Sequence, residues 1–244
     1  MMTTLLGTGI YTIPEAARLT RVSHWRVRRW LQGYDFSVKA GRHHSPAVWH
    51  GQLEAIERHL ALGFLDVIEM RFVDAFLRAG VSWKTLRRAH NRAQQFLNLS
   101  HPFCSSRFKV FGRQIILELP RDDAEPELWE IARDQRVFGG IVGSYLKDLE
   151  FGSGELPQRW WPRGRSHPVA LDPRRSFGQP IIFEAGIPTR ALARSVSANG
   201  SIEQVARWFE VSLSAVREAV AFEQSLVAWI SSSTTISPPN WPTV

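Results

Sequence analysis

The chain has 244 residues, 44% hydrophobic and 22% charged, enough for two or three small globular units. Its single cysteine, Cys104, excludes an internal disulfide framework and any zinc site built on several cysteines of one chain. No apolar run approaches the roughly 20 residues that span a bilayer, and the N-terminus carries no basic-then-apolar leader, so a cytoplasmic protein with no membrane partner is expected.

The net charge of +7 is unevenly held: residues 1–120 carry 17 Lys and Arg against 8 Asp and Glu, residues 121–244 carry 13 against 15. A genome rich in Arg codons accounts for part of the arginine excess but not for this asymmetry. The first half is suited to a polyanion, and arginine suits bidentate contacts to phosphate and guanine.

The stretch "YTIPEAARLTRVSHWRVRRWLQGY" reads as two short helices joined by a tight turn. Pro14 is a good first-turn residue, Glu15 favours the positive helix end, and Ser23 is placed to cap the second helix. Val27, Trp30, Leu31 and Tyr34 recur at three- and four-residue spacing as its core stripe, with Gly33 placed to end it. His24, Trp25, Arg28 and Arg29 fall on the other face and Arg26 on its flank. "DFSVKAGRHHSPAVW" alternates around a Lys-Ala-Gly-Arg turn and reads as a small hairpin with Lys39, Arg42, His43 and His44 at its tip. The two histidines point to opposite faces of a strand with no acidic partner evident nearby, which disfavours a metal site.

Leu65, Ile68, Phe72, Phe76 and Leu77 are spaced for a third helix. Ser82 caps a fourth, which has Leu86, Ala89 and Ala93 on its apolar side and Lys84, Arg87, Arg88 and Arg92 as a basic face. "PFCSSRFKVFGRQIILEL" reads as a hairpin about Phe111-Gly112-Arg113-Gln114. "RDDAEPELWE" marks a boundary, "FGGIVGSYLKDLEF" a strand pair or strand-helix element, and "LPQRWWPRGRSHP" an irregular linker. Two further helices follow from Ser201 and Leu213, and the tail "SSSTTISPPNWPTV" reads as disordered alone. The fold expected is mainly α with small β hairpins. It divides as 1–120 (DNA-binding, with a helical extension), 121–166 (connecting), 167–230 (a dimerising helix-turn-helix) and 231–244 (a flexible tail).

"YTIPEAARLTRVSHWRVRRWL" resembles the MerR-like winged helix-turn-helix, in the Val-Ser at its turn and the Arg-x-Trp of Arg28 and Trp30. The stretch Leu171 to Leu226 is similar to a small helix-turn-helix domain, formerly of unknown function, that recurs in bacterial antitoxins. Its marks are Asp172-Pro173, Phe177-Gly178 before Pro180-Ile181, Gly186-Ile187-Pro188-Thr189, and the Ser-x-Glu-x-Val-Ala opening at Ser201. Together they resemble VapB-type antitoxins, which pair with PIN-like ribonuclease toxins. The resemblance implies a cofactor-free, non-enzymatic homodimer that neutralises such a toxin and represses its own operon at operator DNA. The alternative is a stand-alone MerR-like winged-helix regulator with no toxin.

On this reading His24, Trp25, Arg28 and Arg29 face the major groove, and Arg18, Arg26, Lys39, Arg42, His43 and His44 neutralise phosphates. Arg159, Arg163, Arg165, Arg174 and Arg175 are candidates to oppose the toxin's carboxylates. Trp160 and Trp161 are the candidate aromatic anchors, unless they pack the linker onto its domain, and Trp241 in the tail competes with them. His101 lies three residues from Cys104 without an orienting third group. No phosphate loop, nucleotide fingerprint or HExxH motif occurs, so no catalytic centre is expected.

Overall fold

The computed structural model describes residues 6–38, 41–57, 59–117 and 131–233. Tyr11–Thr12 (β1) pairs antiparallel with Ala61–Leu62 (β4), bringing the start of helix Ile13–Thr20 (α1) against the start of helix Phe64–Arg78 (α3). α1 begins with a capping box: Thr12 accepts from the Glu15 N–H, and the Glu15 carboxylate accepts the Thr12 N–H. Arg21, left-handed at φ 58°, ends α1, and helix His24–Gln32 (α2) follows. Ser23 holds the N-cap position of α2 without bonding its hydroxyl there. Gly33 closes α2 at φ 72°, where any Cβ would run into the Ser45 carbonyl. The chain then enters the hairpin Tyr34–Val38 (β2) and Gly41–Ser45 (β3).

α3 is the axis of the first core. Its buried apolar residues include Phe64, Val67, Ile68, Phe72, Val73 and Phe76, yet it also buries Asp66 and Glu69 completely. Asp66 accepts from Trp49 Nε1 (2.9 Å), His101 Nε2 (2.8 Å) and the backbone N–H groups of Gln52 (2.9 Å) and Gly63 (2.8 Å). Glu69 accepts from His90 Nε2 (2.9 Å) and the N–H groups of Phe103 (3.1 Å) and Cys104 (3.0 Å). Helix Trp83–Leu97 (α4), capped by Ser82, brings His90 to this network. Burial opposes a charged His101, but the bond to Asp66 and the nearby carboxylates outweigh it and raise its pKa. Cys104 is fully buried, its thiol donates to the His101 carbonyl (3.3 Å), and burial together with Glu69 pushes its pKa well up. The pair is a structural contact with no thiolate character.

Three sequence expectations are corrected. Residues 106–117 form a helix, α5 (Ser106–Leu117), where a hairpin was expected. Phe108, Gly112, Ile115 and Ile116 are buried at helical spacing, and a Cβ on Gly112 would meet the Phe108 ring at 2.9 Å, so this glycine serves packing rather than a turn. "FGGIVGSYL" lies in helix Gln135–Leu146 (α6), capped by Asp134 and followed by strand Leu149–Phe151 (β5), an order of helix then strand. "LPQRWW" is ordered rather than irregular: Pro157–Trp160 (β6) pairs with β5 and with Val169–Leu171 (β7). Pro180–Ile182 (β8) and Ile187–Pro188 (β9) complete a small antiparallel sheet in the order β5-β6-β7-β8-β9, in a chain that is mostly helical as expected. A division between residues 166 and 167 falls between two strands of this sheet.

Trp160 explains why that stretch is ordered. It is 3% exposed within the first core, and the Arg71 guanidinium of α3 lies 4.4 Å from its ring and 5.3 Å from that of Tyr145. Burial lowers the Arg71 pKa to about 10. The second core gathers Val169, Ile182, Leu192, Val205, Val216, Ala219 and Phe222, where helices Thr189–Asn199 (α7), Ile202–Trp208 (α8) and Leu213–Ser233 (α9) pack on the sheet. Tyr11 joins the halves by donating to the Gly178 carbonyl (2.6 Å), beside an Ile10 N–H to Phe177 carbonyl bond (2.9 Å). Among the described residues no helix is long and apolar enough to cross a membrane.

Two outcomes follow from the buried network. Asp66→Ala strands Trp49, His101 and two backbone N–H groups, so urea unfolding at neutral pH should show a loss of about 3–5 kcal/mol. His101 has a folded pKa raised above its unfolded value of about 6.5. Its stabilisation is therefore complete below that value and is lost as the pH rises through the folded one. Unfolding midpoints should be higher at pH 6 than at pH 9, and His101→Gln should flatten that difference.

Candidate nucleic-acid interface

α2 carries its core stripe inward. Val27 is 0% exposed, Trp30 3% and Leu31 8%, and the Trp30 ring stacks on Trp83 of α4 at 5.8 Å. The opposite face leaves His24, Trp25 and Arg28 exposed and Arg29 partly so. Arg29 lies 5.2 Å from the Trp25 ring and 4.1 Å from the Tyr34 ring, which ties the helix face to the first strand of the hairpin.

The hairpin has two chemically different faces because strand side chains alternate. Tyr34, Phe36 and His43 share one: Tyr34 and Phe36 lie 5.8 Å apart, and Phe36 stacks on its cross-strand partner His43 at 5.7 Å. Asp35 organises the other, bonded to His44 Nδ1 (2.8 Å) and Arg42 (3.1 Å). The His44 hydrogen bond, with Arg42 beside it, holds the Asp35 carboxyl below its usual pKa. Asp35 is thus the acidic neighbour of the histidines that sequence inspection missed; strand alternation and the tight register were the available signals. Lys39 lies outside the described residues. Among the described residues no group of three or more His, Cys, Asp or Glu is placed to hold a metal ion.

Arg26 and Arg18 sit elsewhere. Arg26 reaches inward to Asp74 of α3 (2.8 Å), and Arg78 binds the second oxygen of the same carboxylate (2.6 Å). Burial pulls the Arg26 pKa down and pushes that of Asp74 up, each opposed by the other's charge. Arg18 lines a cleft between α1 and the C-terminal helices, together with Arg190 and Glu223. Of the basic residues on α4, Arg87 bonds Ser45 Oγ (2.9 Å) and the Pro46 carbonyl (2.7 Å), fixing the end of the hairpin rather than facing outward.

The arginines and tryptophans of residues 159–175 mostly build the sheet. Arg159 bridges Glu150 (2.6 Å) and Asp172 (2.9 Å). Trp161 donates to Glu150 (3.1 Å) and packs edge-on against Phe183, while Trp160 is buried. Arg163 meets Glu218 (3.3 Å), Arg165 the Leu149 carbonyl (2.8 Å), Arg174 Gln158 (2.9 Å), and Arg175 the Phe183 carbonyl (2.6 Å). Arg174 keeps 55% of its side chain exposed, against 24% for Arg159. Trp241 lies outside the described residues.

The comparisons with known proteins bear on both halves. Residues 169–222 match the family described as "Protein of unknown function (DUF433)". That segment runs from β7 into α9 and contains the second core. The chain is also 25% identical, over 86% of its length and 92% of the relative's, to a Mycobacterium tuberculosis (strain ATCC 25618 / H37Rv) protein named "Putative antitoxin VapB45". An X-ray crystal structure of Rv2018 from Mycobacterium tuberculosis shares the fold, with a TM-score of 0.64 over 86% of this chain and 96% of that one at 22% identity.

Because Arg26 is a staple between α2 and α3, Arg26→Ala should lower stability by about 1–2 kcal/mol in urea, Arg78 still pairing Asp74. Any salt dependence of nucleic-acid binding should stay unchanged in the same variant, whereas loss of a phosphate contact would make it shallower.

Proposed function

We propose that the protein is the antitoxin of a type II, VapBC-like pair, which neutralises a PIN-like ribonuclease and represses its own operon. The observation that carries this reading is the similarity to a protein named as an antitoxin, which runs through nearly the whole of both chains. The α2–hairpin unit supports the repressor half. Read as a MerR-like winged helix-turn-helix, it would offer His24, Trp25, Arg28 and Arg29 to a major groove and carry Arg42, His43 and His44 on the wing. An arginine bidentate to guanine is worth on the order of 1–3 kcal/mol of discrimination. One such unit is small, so a homodimer on a two-fold operator is the working form, with the seam on the helices after Ser201.

Toward the toxin, the reachable guanidiniums are those of Arg163, Arg165 and Arg174, while Arg159 and Trp160 are committed to the sheet. The second reading is a stand-alone winged-helix regulator, favoured by the internal partners that most of the candidate toxin-facing arginines already have.

Co-expression with the product of the adjacent reading frame separates the two. The antitoxin reading expects a complex that survives purification and a ribonuclease activity that this chain suppresses. If nothing is retained and added chain leaves the nuclease unaffected, the stand-alone regulator replaces it.

A further inference from the structure

We infer that Arg29 is the residue that reads sequence, and that Trp25 and Tyr34 are the positioning residues that aim it. The inference rests on the DNA-binding reading above and narrows it to one side chain. Its guanidinium carbon lies over two rings, 5.2 Å from the centroid of Trp25 and 4.1 Å from that of Tyr34. Tyr34 in turn lies against Phe36, and Phe36 against His43, so five side chains from α2, β2 and β3 form one ladder. Trp25 and Phe36 are 36% and 38% exposed, which puts this ladder at the surface.

Ring stacking occupies the plane of a guanidinium and leaves its N–H edge free. Among the described residues the Arg29 side chain makes no hydrogen bond or ion pair. Its neighbours differ. Arg26 spends its edge on Asp74, Arg87 on Ser45 and Pro46, and Arg42 on Asp35. Arg28 is exposed with no ring contact among the described residues. Arg29 thus combines contact with two rings and a donor fork that no other described residue occupies.

That combination suits a guanine edge. Bidentate recognition demands a defined plane, and a side chain already ordered in the free protein loses little freedom on binding. Arg28, which faces the same groove but has no ring contact among the described residues, and the exposed Arg21 are suited to the phosphates at its edge, where a charge at the right distance suffices.

The test uses the full chain and two duplexes of equal length: the DNA immediately upstream of its own reading frame, and the same bases shuffled. Affinity for each is measured across a salt series. Arg29→Lys keeps the charge but not the fork and should cut the ratio of the two affinities by about tenfold or more, with the salt slope unchanged. Trp25→Ala and Tyr34→Ala should lower the ratio in the same direction, and Tyr34→Phe, which retains the ring, should preserve it. Arg28→Ala should weaken both duplexes alike and make the salt slope shallower by about one. Wild-type discrimination that persists in Arg29→Lys overturns the inference, as does a Tyr34→Ala variant that changes the slope but not the ratio. A wild-type chain that binds both duplexes equally, or neither, overturns the operator-binding reading and this inference with it.

Discussion

The Asp66 carboxylate accepts four hydrogen bonds inside a largely apolar core, and the geometry of the N-terminal half follows from them. Two come from backbone N–H groups, of Gln52 and of Gly63 at the first turn of α3. The other two come from Trp49 and His101, which arrive from loops far apart in sequence. A buried carboxylate without such partners is costly, so the segments that supply them are held at defined positions around α3. One of those segments, residues 46–53, leads directly out of the hairpin. Val48 bonds the Trp30 carbonyl (2.9 Å) and Arg87 grips Ser45 and Pro46, so the hairpin is tethered to α2, to α4 and, through Trp49, to Asp66.

The outer surface of α2 inherits that rigidity. Its inner face is fixed by Trp30 on Trp83, its flank by Arg26 on Asp74, and its outer face touches the hairpin through Arg29. Helix and hairpin therefore present one surface rather than two independent ones. Tyr11 extends the same frame to the C-terminal half. Burial keeps its phenol protonated, with a pKa raised well above the usual value, and its hydroxyl caps the Gly178 carbonyl. Gly178 is left-handed at φ 81°, and a side chain there would strike the Tyr11 ring, so the junction tolerates only this close approach.

What could be read from sequence divides along local and non-local physics. The two helices of residues 13–32 and the glycine stop were legible because periodicity acts within a few residues, although Ser23 makes no side-chain cap bond and Tyr34, expected on the helical stripe, lies in β2. So was the inward placement of Trp30, and the hairpin that follows. Gly112 was misread because a glycine between apolar residues marks a turn or a tight packing contact equally well. Only the Phe108 ring against it decides between them. Arg159, Trp160 and Trp161 were read as a free linker because Pro, Gly and Arg dominate the neighbourhood. The partners that order them, Glu150 of β5, Asp172 just after β7 and the buried Arg71 of α3, come from three separate places in the chain. Asp66 and Glu69 gave no sign of their depth: on a helix with apolar neighbours, a buried carboxylate and a solvated one have the same spacing.

The charge asymmetry acquires a structural meaning at the level of individual arginines. In the C-terminal half Arg159, Arg163, Arg165 and Arg175 meet carboxylates or carbonyls of the sheet, its loops and α9, so part of each donor edge is already engaged. Around α2 the pairing is selective. The arginine that faces inward is matched by Asp74 and the one on the far side of the hairpin by Asp35, while those on the outer face of α2 have no carboxylate partner among the described residues. Since a guanidinium already paired must break that pair before it can bind anything else, unmatched arginines are the ones positioned to answer an external anion. Composition alone marks both halves as rich in arginine. The distribution of carboxylates around each guanidinium separates the arginines that hold the fold from those left to bind.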